Sequence, residues 1–336
     1  MKRVAVLYND DGDLLTKGAS DDRLAWDGGP AVGREVAGAL ERRGFRAYEV
    51  PCGSEIKSLV DRLERLNPDI VFNVCESFEG ESRLEAEVAS LLEVLRIPFA
   101  GNDPLALGIA HDKARCKELL KGCGLPVAEW RVFSAGTLTA DLAGLAPPFI
   151  VKPRCEDGSH GLTARSVCNS TDEALAMAAE TSAIWRQDCL IEEFLPGREF
   201  NVGVLFKNLV LPPSEIAYEL PAGLPNLVTF EAKWVRGSVY DRGTPVRIPA
   251  ENVAERLAEQ LRSLALAAWR ALGCRDYARI DLRLDAAGDP RILEVNPNPD
   301  ISPDAGLARA AEKAGIPYDE LIAGIADCAF ARAGGR

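Results

Sequence analysis

Short apolar runs alternate with stretches of helical period at the start of the chain. Val4–Tyr8 is a β-rich run closed by Asn9 and Asp10, the pattern of a buried parallel strand. Val32, Val36 and Leu40 share one face of a helical stretch, Ala31–Arg43, that stops at Gly44. Ala47–Val50, the helical stretch Glu55–Leu66 and the strand Ile70–Val74 continue the alternation. This β-α-β series predicts a small doubly wound domain with a parallel sheet over residues 1–101. No Gly-rich dinucleotide fingerprint follows the first strand, which argues against a dehydrogenase. A polar stretch from Asn9 to Pro30 holds Asp10, Asp11, Asp13, Asp21, Asp22 and Asp27. A loop of that length inside a compact domain is either functional or disordered.

Further along, Ser82–Leu95 is amphipathic, and Asn102–Pro104 supplies a cap with proline just inside the next helix. His111–Lys113 falls mid-helix. The strand Pro148–Pro153 carries Lys152 and feeds a Gly/Ser-rich loop, Arg154–Gly161. Such a loop can aim backbone N–H groups at a phosphate chain, with Gly158, Ser159 and Gly161 allowing close approach. Many surface hairpins share this pattern, so the pattern alone leaves both readings open. Thr171–Glu180 is a capped helix, and Cys189–Phe206 gives two strands around the turn Pro196–Gly197. A less regular segment, 211–243, precedes a long amphipathic helix over Asn252–Leu272. Two helices, about Asp304–Ala314 and Asp319–Ala331, close the chain.

The densest polar pattern lies in Arg275–Ser302. Two alternating runs, Ala278–Leu284 and Arg291–Val295, flank a loop with Gly288 and Pro290 and read as a β-hairpin. Pairing Leu284 with Arg291 sets Asp281 opposite Glu294 and Arg279 opposite Asn296. These four share one face, while Ile280, Leu282, Leu293 and Val295 turn to a core. Opposed carboxylates repel unless a cation intervenes, and two carboxylates plus an amide oxygen suit magnesium. A solvated hairpin face with Arg279 neutralising Asp281 explains the same residues.

Composition narrows the function classes. The 336 residues are 47% apolar and 27% charged, enough for two or three cored domains. A formal net charge of −12 leaves no basic block for nucleic acid. Nine scattered cysteines without a C-x-x-C pair, beside only two histidines, argue against zinc and for free thiols in a reducing cytoplasm. The start lacks a signal-peptide core, and no apolar run is long enough to span a bilayer.

The runs RIDLRLD (Arg279–Asp285) and ILEVNPNP (Ile292–Pro299) resemble the metal hairpin of the ATP-grasp superfamily, and specifically the D-alanine–D-alanine ligase family. RIPFAGNDPLALGIAHDKARCKELLKGCGLP, PFIVKP, CLIEEFLPGREFNVGVLF and FEAKWVRGS match the family in the same order, so the resemblance covers roughly residues 70–330. It implies an α/β, ATP-grasp architecture: an N-terminal domain (1–101) followed by two subdomains (102–195 and 196–336) that sandwich the nucleotide. It implies ATP and magnesium, or manganese in its place, with Asp281, Glu294 and Asn296 as metal ligands. Lys113 and Lys152 then hold phosphate, and the loop with Gly158 and Ser159 closes over it. Glu192 and the backbone of Glu193, Phe194 and Leu195 meet the adenine, and Glu199 the ribose. Lys233 sits in a mobile loop, Arg279 polarises the acyl phosphate, and a backbone N–H near Asp300 completes an oxyanion hole. Small amino-acid or carboxylate substrates, a cytoplasmic location and a homodimer come with the resemblance.

The departures bear on the substrate. The family's lysine-tyrosine pair is Lys233–Trp234 here, and a histidine-glycine pair becomes Glu76–Ser77. A serine that binds the second substrate's carboxylate aligns with Ala305. His160 intrudes into the phosphate loop, and Glu35 fits the family's Arg-Glu-Val phrase only loosely. The expectation is an ATP-dependent carboxylate–amine ligase for amino acids, working through an acyl phosphate on a different or broader substrate pair to give a dipeptide or an amino-acid conjugate. A genuine D-alanine–D-alanine ligase and a non-catalytic ATP-binding regulator of the same fold stay open beside it.

Overall fold

Strand β1 (Arg3–Asn9) is almost wholly buried, and its alternating side chains serve two different cores. With α1 (Gly29–Arg42), β2 (Arg46–Cys52), α2 (Ile56–Leu66), β3 (Ile70–Asn73), α3 (Glu85–Val94) and β4 (Phe99–Ala100), it builds a parallel sheet in the order β2-β1-β3-β4. Val4 and Val6 pack with α1, and Ala5 and Leu7 pack with Leu59, Leu63 and Val88 on the opposite face. The computed structural model describes residues 1–11, 14, 17–18, 28–53 and 55–334. Asp13, Asp21, Asp22 and Asp27 of the acidic stretch lie outside the described residues.

Helices α4 (Pro104–His111) and α5 (Lys113–Gly122) lead to an antiparallel sheet. Strands β5 (Trp130–Phe133), β6 (Phe149–Pro153), β7 (Val167–Cys168) and β8 (Cys189–Glu193) run in the order β5-β8-β6-β7, backed by α6 (Thr171–Trp185). His111–Lys113 is therefore not mid-helix. Asp112 is extended (φ −84°, ψ 94°), ends α4, and caps α5 by accepting from the Arg115 amide. That break turns Lys113, at the first position of α5, toward the strands.

The remaining chain supplies β9 (Glu199–Leu205), β10 (Leu209–Val210), β11 (Ser214–Ile216), α7 (Phe230–Trp234), α8 (Val239–Gly243), β12 (Val246–Arg247) and α9 (Glu255–Ala271). Then come β13 (Tyr277–Leu284), β14 (Pro290–Asn296), α10 (Gly306–Lys313) and α11 (Tyr318–Gly334). This antiparallel sheet runs β12-β11-β9-β13-β14, with β10 on β9 and α9 packed against it. The last two helices return to the first sheet, where Leu307, Leu321 and Ile325 join the core of Val4 and Val6.

The hairpin has the expected opposition of Asp281 to Glu294 and Arg279 to Asn296, but Leu284 pairs with Pro290 instead of Arg291. A bulge after Asp281 absorbs the difference. It moves Ile292 into the core and leaves Leu293 only partly buried, lining a cleft, so Leu293 is not the core residue that strict alternation predicts.

The sheet β5-β8-β6-β7 hangs from this hairpin at two points. The Ile292 amide donates to the Pro126 carbonyl (2.8 Å), and Val127 bridges Ile292. At the other connection, the Gly197 amide donates to the Leu284 carbonyl (3.0 Å). A Cβ on Gly197 would lie 2.5 Å from that oxygen, which explains the glycine.

Asn102 ties the first sheet to the hairpin. It is 2% exposed, donates to the Tyr277 carbonyl (2.7 Å) and to that of Pro297, and accepts from the Arg275 amide (2.6 Å). Asn102→Ala strands three backbone groups, so urea denaturation is expected to show a loss of about 3 kcal/mol. Retention of full stability would show that the tie carries no load.

Candidate active site

A cleft of about 1410 Å³ opens between the sheet carrying β6 and β8 and the sheet carrying β9, β13 and β14. Its polar walls are ion pairs whose acids sit chiefly on strands and whose cations come from strands and from α5. Glu192 on β8 is 1% exposed and lies between two ammonium groups, Lys152 Nζ at 2.8 Å and Lys117 Nζ at 3.2 Å. Burial alone would raise its carboxyl, but Lys117 and Lys152 outweigh that and hold it below the usual range. Glu199 on β9 accepts from the Tyr218 hydroxyl (2.6 Å) and from Arg283 Nη1 (3.0 Å). There burial wins over the Arg283 charge, and the carboxyl is raised.

Between them, Glu193, Phe194 and Leu195 line the cleft. The amides of Glu193 and Phe194 are committed to the carbonyls of Glu129 (3.1 Å) and Pro148 (2.9 Å).

At the hairpin end, Arg279 grips Asp281 through two bonds, 2.7 and 2.8 Å. Asn201 (2.7 Å) and Asn296 (3.0 Å) donate to the same carboxylate. Burial pushes Asp281 up, but Arg279 outweighs it and the carboxyl sits low. Glu294 meets Lys113 Nζ at 2.8 Å, and Lys113 also reaches Asp157 Oδ1 at 3.1 Å and the Glu156 carbonyl. Against the effect of burial, Asp157 and Glu294 raise the Lys113 ammonium above its ordinary range. Each carboxylate of the pair thus faces a cationic side chain, the arrangement that the neutralised-hairpin reading describes. Two carboxylates and the carbonyl oxygen of an amide, on one face of adjacent strands, form a hard-oxygen set that fits magnesium. Among the described residues no cluster of three His, Cys, Asp or Glu side chains offers a metal site of another kind.

The loop after β6 and the helix α7 interlock over the cleft. Trp234 Nε1 donates to the Gly158 carbonyl (2.9 Å), and the Phe230 amide donates to the Leu162 carbonyl (2.9 Å). His160 Nδ1 lies 2.7 Å from the Asp157 carbonyl, and its ring sits between Trp185 and Phe230 at 5.5 and 5.7 Å. His160 therefore packs the loop. Ser159, in the left-handed region (φ 63°), lines the cleft with Lys233, whose ammonium is lowered by burial and by Arg279.

A second cavity of about 720 Å³ adjoins the cleft, bordered by Gly158 and Asn296. Glu76 projects into it with exposed surface, and Glu85 forms a buried part of its wall. Loss of water among the walls, then Asp300 and Asp157, push the Glu76 carboxyl up to about 8. Glu85 is raised well above the usual range by burial and by Asp157.

Of the residues singled out in the sequence, Lys113, Lys152, Ser159, Glu192, Glu193, Phe194, Leu195 and Glu199 line the large cleft with Lys233, Arg279, Asp281 and Glu294. Gly158 and Asn296 border the smaller cavity. Asp300 lines neither, and its exposed carboxylate accepts from the Ser302 amide (2.8 Å) and hydroxyl (2.6 Å). Glu35 is exposed on α1. Sequence reasoning missed Lys117, Asp157, Asn201, Tyr218 and Arg283. The polar alternation Asn201 and Glu199 on β9 was a usable signal, whereas Lys117 reads as any helix lysine.

Residues 119–327 match a family model described as D-ala D-ala ligase C-terminus. The uncharacterized protein y4sG of Sinorhizobium fredii is 35% identical over 84% of this chain and 84% of its own length. D-alanine–D-alanine ligases of Sinorhizobium medicae (32% identical; 86% and 89% covered) and Acidiphilium cryptum (31%; 99% and 100%) are similar as well. A crystal structure of the D-alanine–D-alanine ligase from Bacillus anthracis complexed with ATP shares the fold. Its TM-score is 0.76 over 100% of this chain and 99% of that chain, at 21% identity.

Proposed function

This chain belongs to the D-alanine–D-alanine ligase family of ATP-grasp proteins, and from that premise we propose that it is an ATP-dependent carboxylate–amine ligase acting on amino acids, with a substrate pair other than two D-alanines. One observation carries the reading: Lys113, Lys152 and Lys233 enter the same cleft as Arg279 and the opposed carboxylates Asp281 and Glu294. Ammonium groups around a polyphosphate and a guanidinium beside the transfer point suit phosphoryl transfer.

A carboxylate is a poor electrophile until phosphorylated. One substrate's carboxylate oxygen attacks the γ-phosphorus, ADP leaves, and an acyl phosphate forms. The acceptor's neutral amine then attacks the acyl carbon, the C–N bond forms, phosphate departs with the C–O electron pair, and the proton shed by the amine passes to the departing phosphate. Lys113 and Lys152 offset phosphate charge, Glu192 orients both Lys152 and the neighbouring Lys117, and Glu199 accepts from ribose hydroxyls. Arg279 polarises the acyl oxygen and steadies the tetrahedral oxyanion, with the backbone near Asp300 as a further donor. Ser159 and Lys233 close over the reacting groups. Magnesium or manganese held by Asp281, Glu294 and Asn296 would supply neutralisation of the phosphate charge.

The proposal includes a cytoplasmic homodimer built from units 1–101, 102–195 and 196–336; sedimentation reads the dimer. The departures Glu76–Ser77, Trp234 and Ala305 support a different substrate pair. ADP release with Mg-ATP against single and paired D- and L-amino acids, with products read by mass, tests it. Pair-dependent turnover giving the two masses less water is expected, and efficient turnover on D-alanine alone would overturn the substrate claim. One observation favours a second reading, a non-catalytic ATP-binding protein: Lys113 and Arg279 already stand as counter-charges to Glu294 and Asp281. Mg-ATP binding without turnover on any pair is its signature.

Trp234→Phe keeps a ring but deletes the N–H that holds Gly158. A hydrogen bond of about 1 kcal/mol predicts a rise in KM for ATP of about fivefold, with little change in melting temperature. An unchanged KM would mean the loop closes without it.

A further inference from the structure

Given the ligase reading, on which this inference rests, the cavity beside the cleft constrains the acceptor more tightly than the fold does. The cavity shares Asp157 and His160 with the nucleotide cleft and reaches the hairpin at Asn296, so a molecule in it abuts the proposed transfer point. Among the described residues that line it, the formally charged ones are Glu76, Glu85 and Asp157, with no lysine or arginine. Glu85 is 8% exposed and takes Asn298 Nδ2 on Oε1 (2.8 Å). Asp157 is already faced by Lys113, and the raised carboxyls of Glu76 and Glu85 take their charged form beside a cation and resist it beside an anion.

A separate observation concerns His111. Its side chain is 10% exposed and borders the cavity, Nδ1 lies 3.3 Å from Asp157 Oδ2, and Nε2 has no hydrogen-bond partner among the described residues. The carboxylate at Nδ1 favours the ring proton there, which leaves Nε2 as a buried lone pair that needs a donor. A nitrogen carrying several N–H bonds satisfies both demands, positive charge for the acids and a proton for Nε2. The Trp234 ring on the same wall adds an aromatic surface that suits a cation.

We propose that this cavity holds the acceptor, and that the acceptor carries a second cationic nitrogen besides the one that attacks: a diamine or a basic amino acid rather than alanine. Calorimetric titration of the full-length protein with 1,4-diaminobutane, ornithine, alanine and glutamate tests it. The cationic probes are expected to bind at least tenfold more tightly than alanine, and glutamate not at all. Glu76→Gln, at an exposed position, is expected to fold normally and to weaken the cationic probes about tenfold while Mg-ATP binding stays unchanged. His111→Phe gives a second reading of the same loss should Glu76→Gln fail to fold. Equal affinity for alanine and ornithine, or an unaltered affinity in Glu76→Gln, would overturn the proposal. Tight binding of the cations without ADP release on any carboxylate would overturn the acceptor role and the ligase reading together. ADP release on alanine with no affinity for cations would overturn the cationic acceptor alone.

Discussion

Asp281→Asn is expected to lower kcat/KM for ADP release by about 1000-fold. Asparagine has the shape of aspartate and keeps an oxygen toward only one of Asn201 and Asn296, which donate to different oxygens, and it removes the charge that Arg279 grips through two bonds. Removing one preorganised group at a developing charge costs two to three orders of magnitude in comparable sites. Here the same carboxylate would also help neutralise phosphate, and so the upper end applies. The pair is partly accessible, with side-chain exposures of 23% for Arg279 and 13% for Asp281. The stability cost is therefore set at about 1–2 kcal/mol, below that of a fully buried pair. Activity lost with the circular dichroism spectrum intact is the expected pair of results. An Asp281→Asn protein that turns over within tenfold of the parent would remove the hairpin from the chemistry.

Glu192→Ala is expected to cost stability before it costs anything else. The carboxylate is 1% exposed and balances Lys117, which is 2% exposed, and Lys152. Without it two ammonium groups share a buried site with no counter-charge. Breaking a buried pair from one side costs about 3–5 kcal/mol, and two stranded cations place this case at the upper end. The pH dependence has a definite sign. Glu192 is held below the ordinary carboxylate range in the folded protein, so its contribution is present above that range and fades as pH falls through it. The parent should lose stability on acidification while Glu192→Ala shows a flatter dependence. Equal slopes in urea titrations from pH 7 to pH 3 would sink the assignment.

The first sheet was legible because β1 and β3 are short apolar runs and α1 and α2 carry 3.6-residue stripes, whereas β4, only Phe99–Ala100, is too short to read. Val4–Tyr8 and Ile70–Val74 left little room for another pattern. The hairpin was legible as far as the opposition of Asp281 and Glu294. Its bulge was not, because one extra residue leaves the alternation of Ile292, Leu293 and Glu294 readable in two registers. The break at Asp112 was hidden for a related reason: an aspartate that caps a helix and one on a helix surface look alike until the flanking φ and ψ are known. Lys117 and Lys113 show the limit of local reading. Four residues apart near the start of one helix, they reach different acids, Glu192 and Glu294, brought in from β8 and β14. Tyr218 and Arg283 come from distant segments to meet Glu199, and no spacing encodes such a meeting.

The two attachments of the β5-β8-β6-β7 sheet, Pro126 to Ile292 and Gly197 to Leu284, sit on opposite strands of a single hairpin. They act as a pair of hinges on one doorpost, and the line between them is the axis about which the inserted sheet can swing without stretching either connection. The post that carries the hinges also carries Asp281 and Glu294, a few residues further along the same two strands. Widening or narrowing the entrance therefore moves Lys152 and Glu192 against a fixed frame and leaves the hairpin's carboxylates in register.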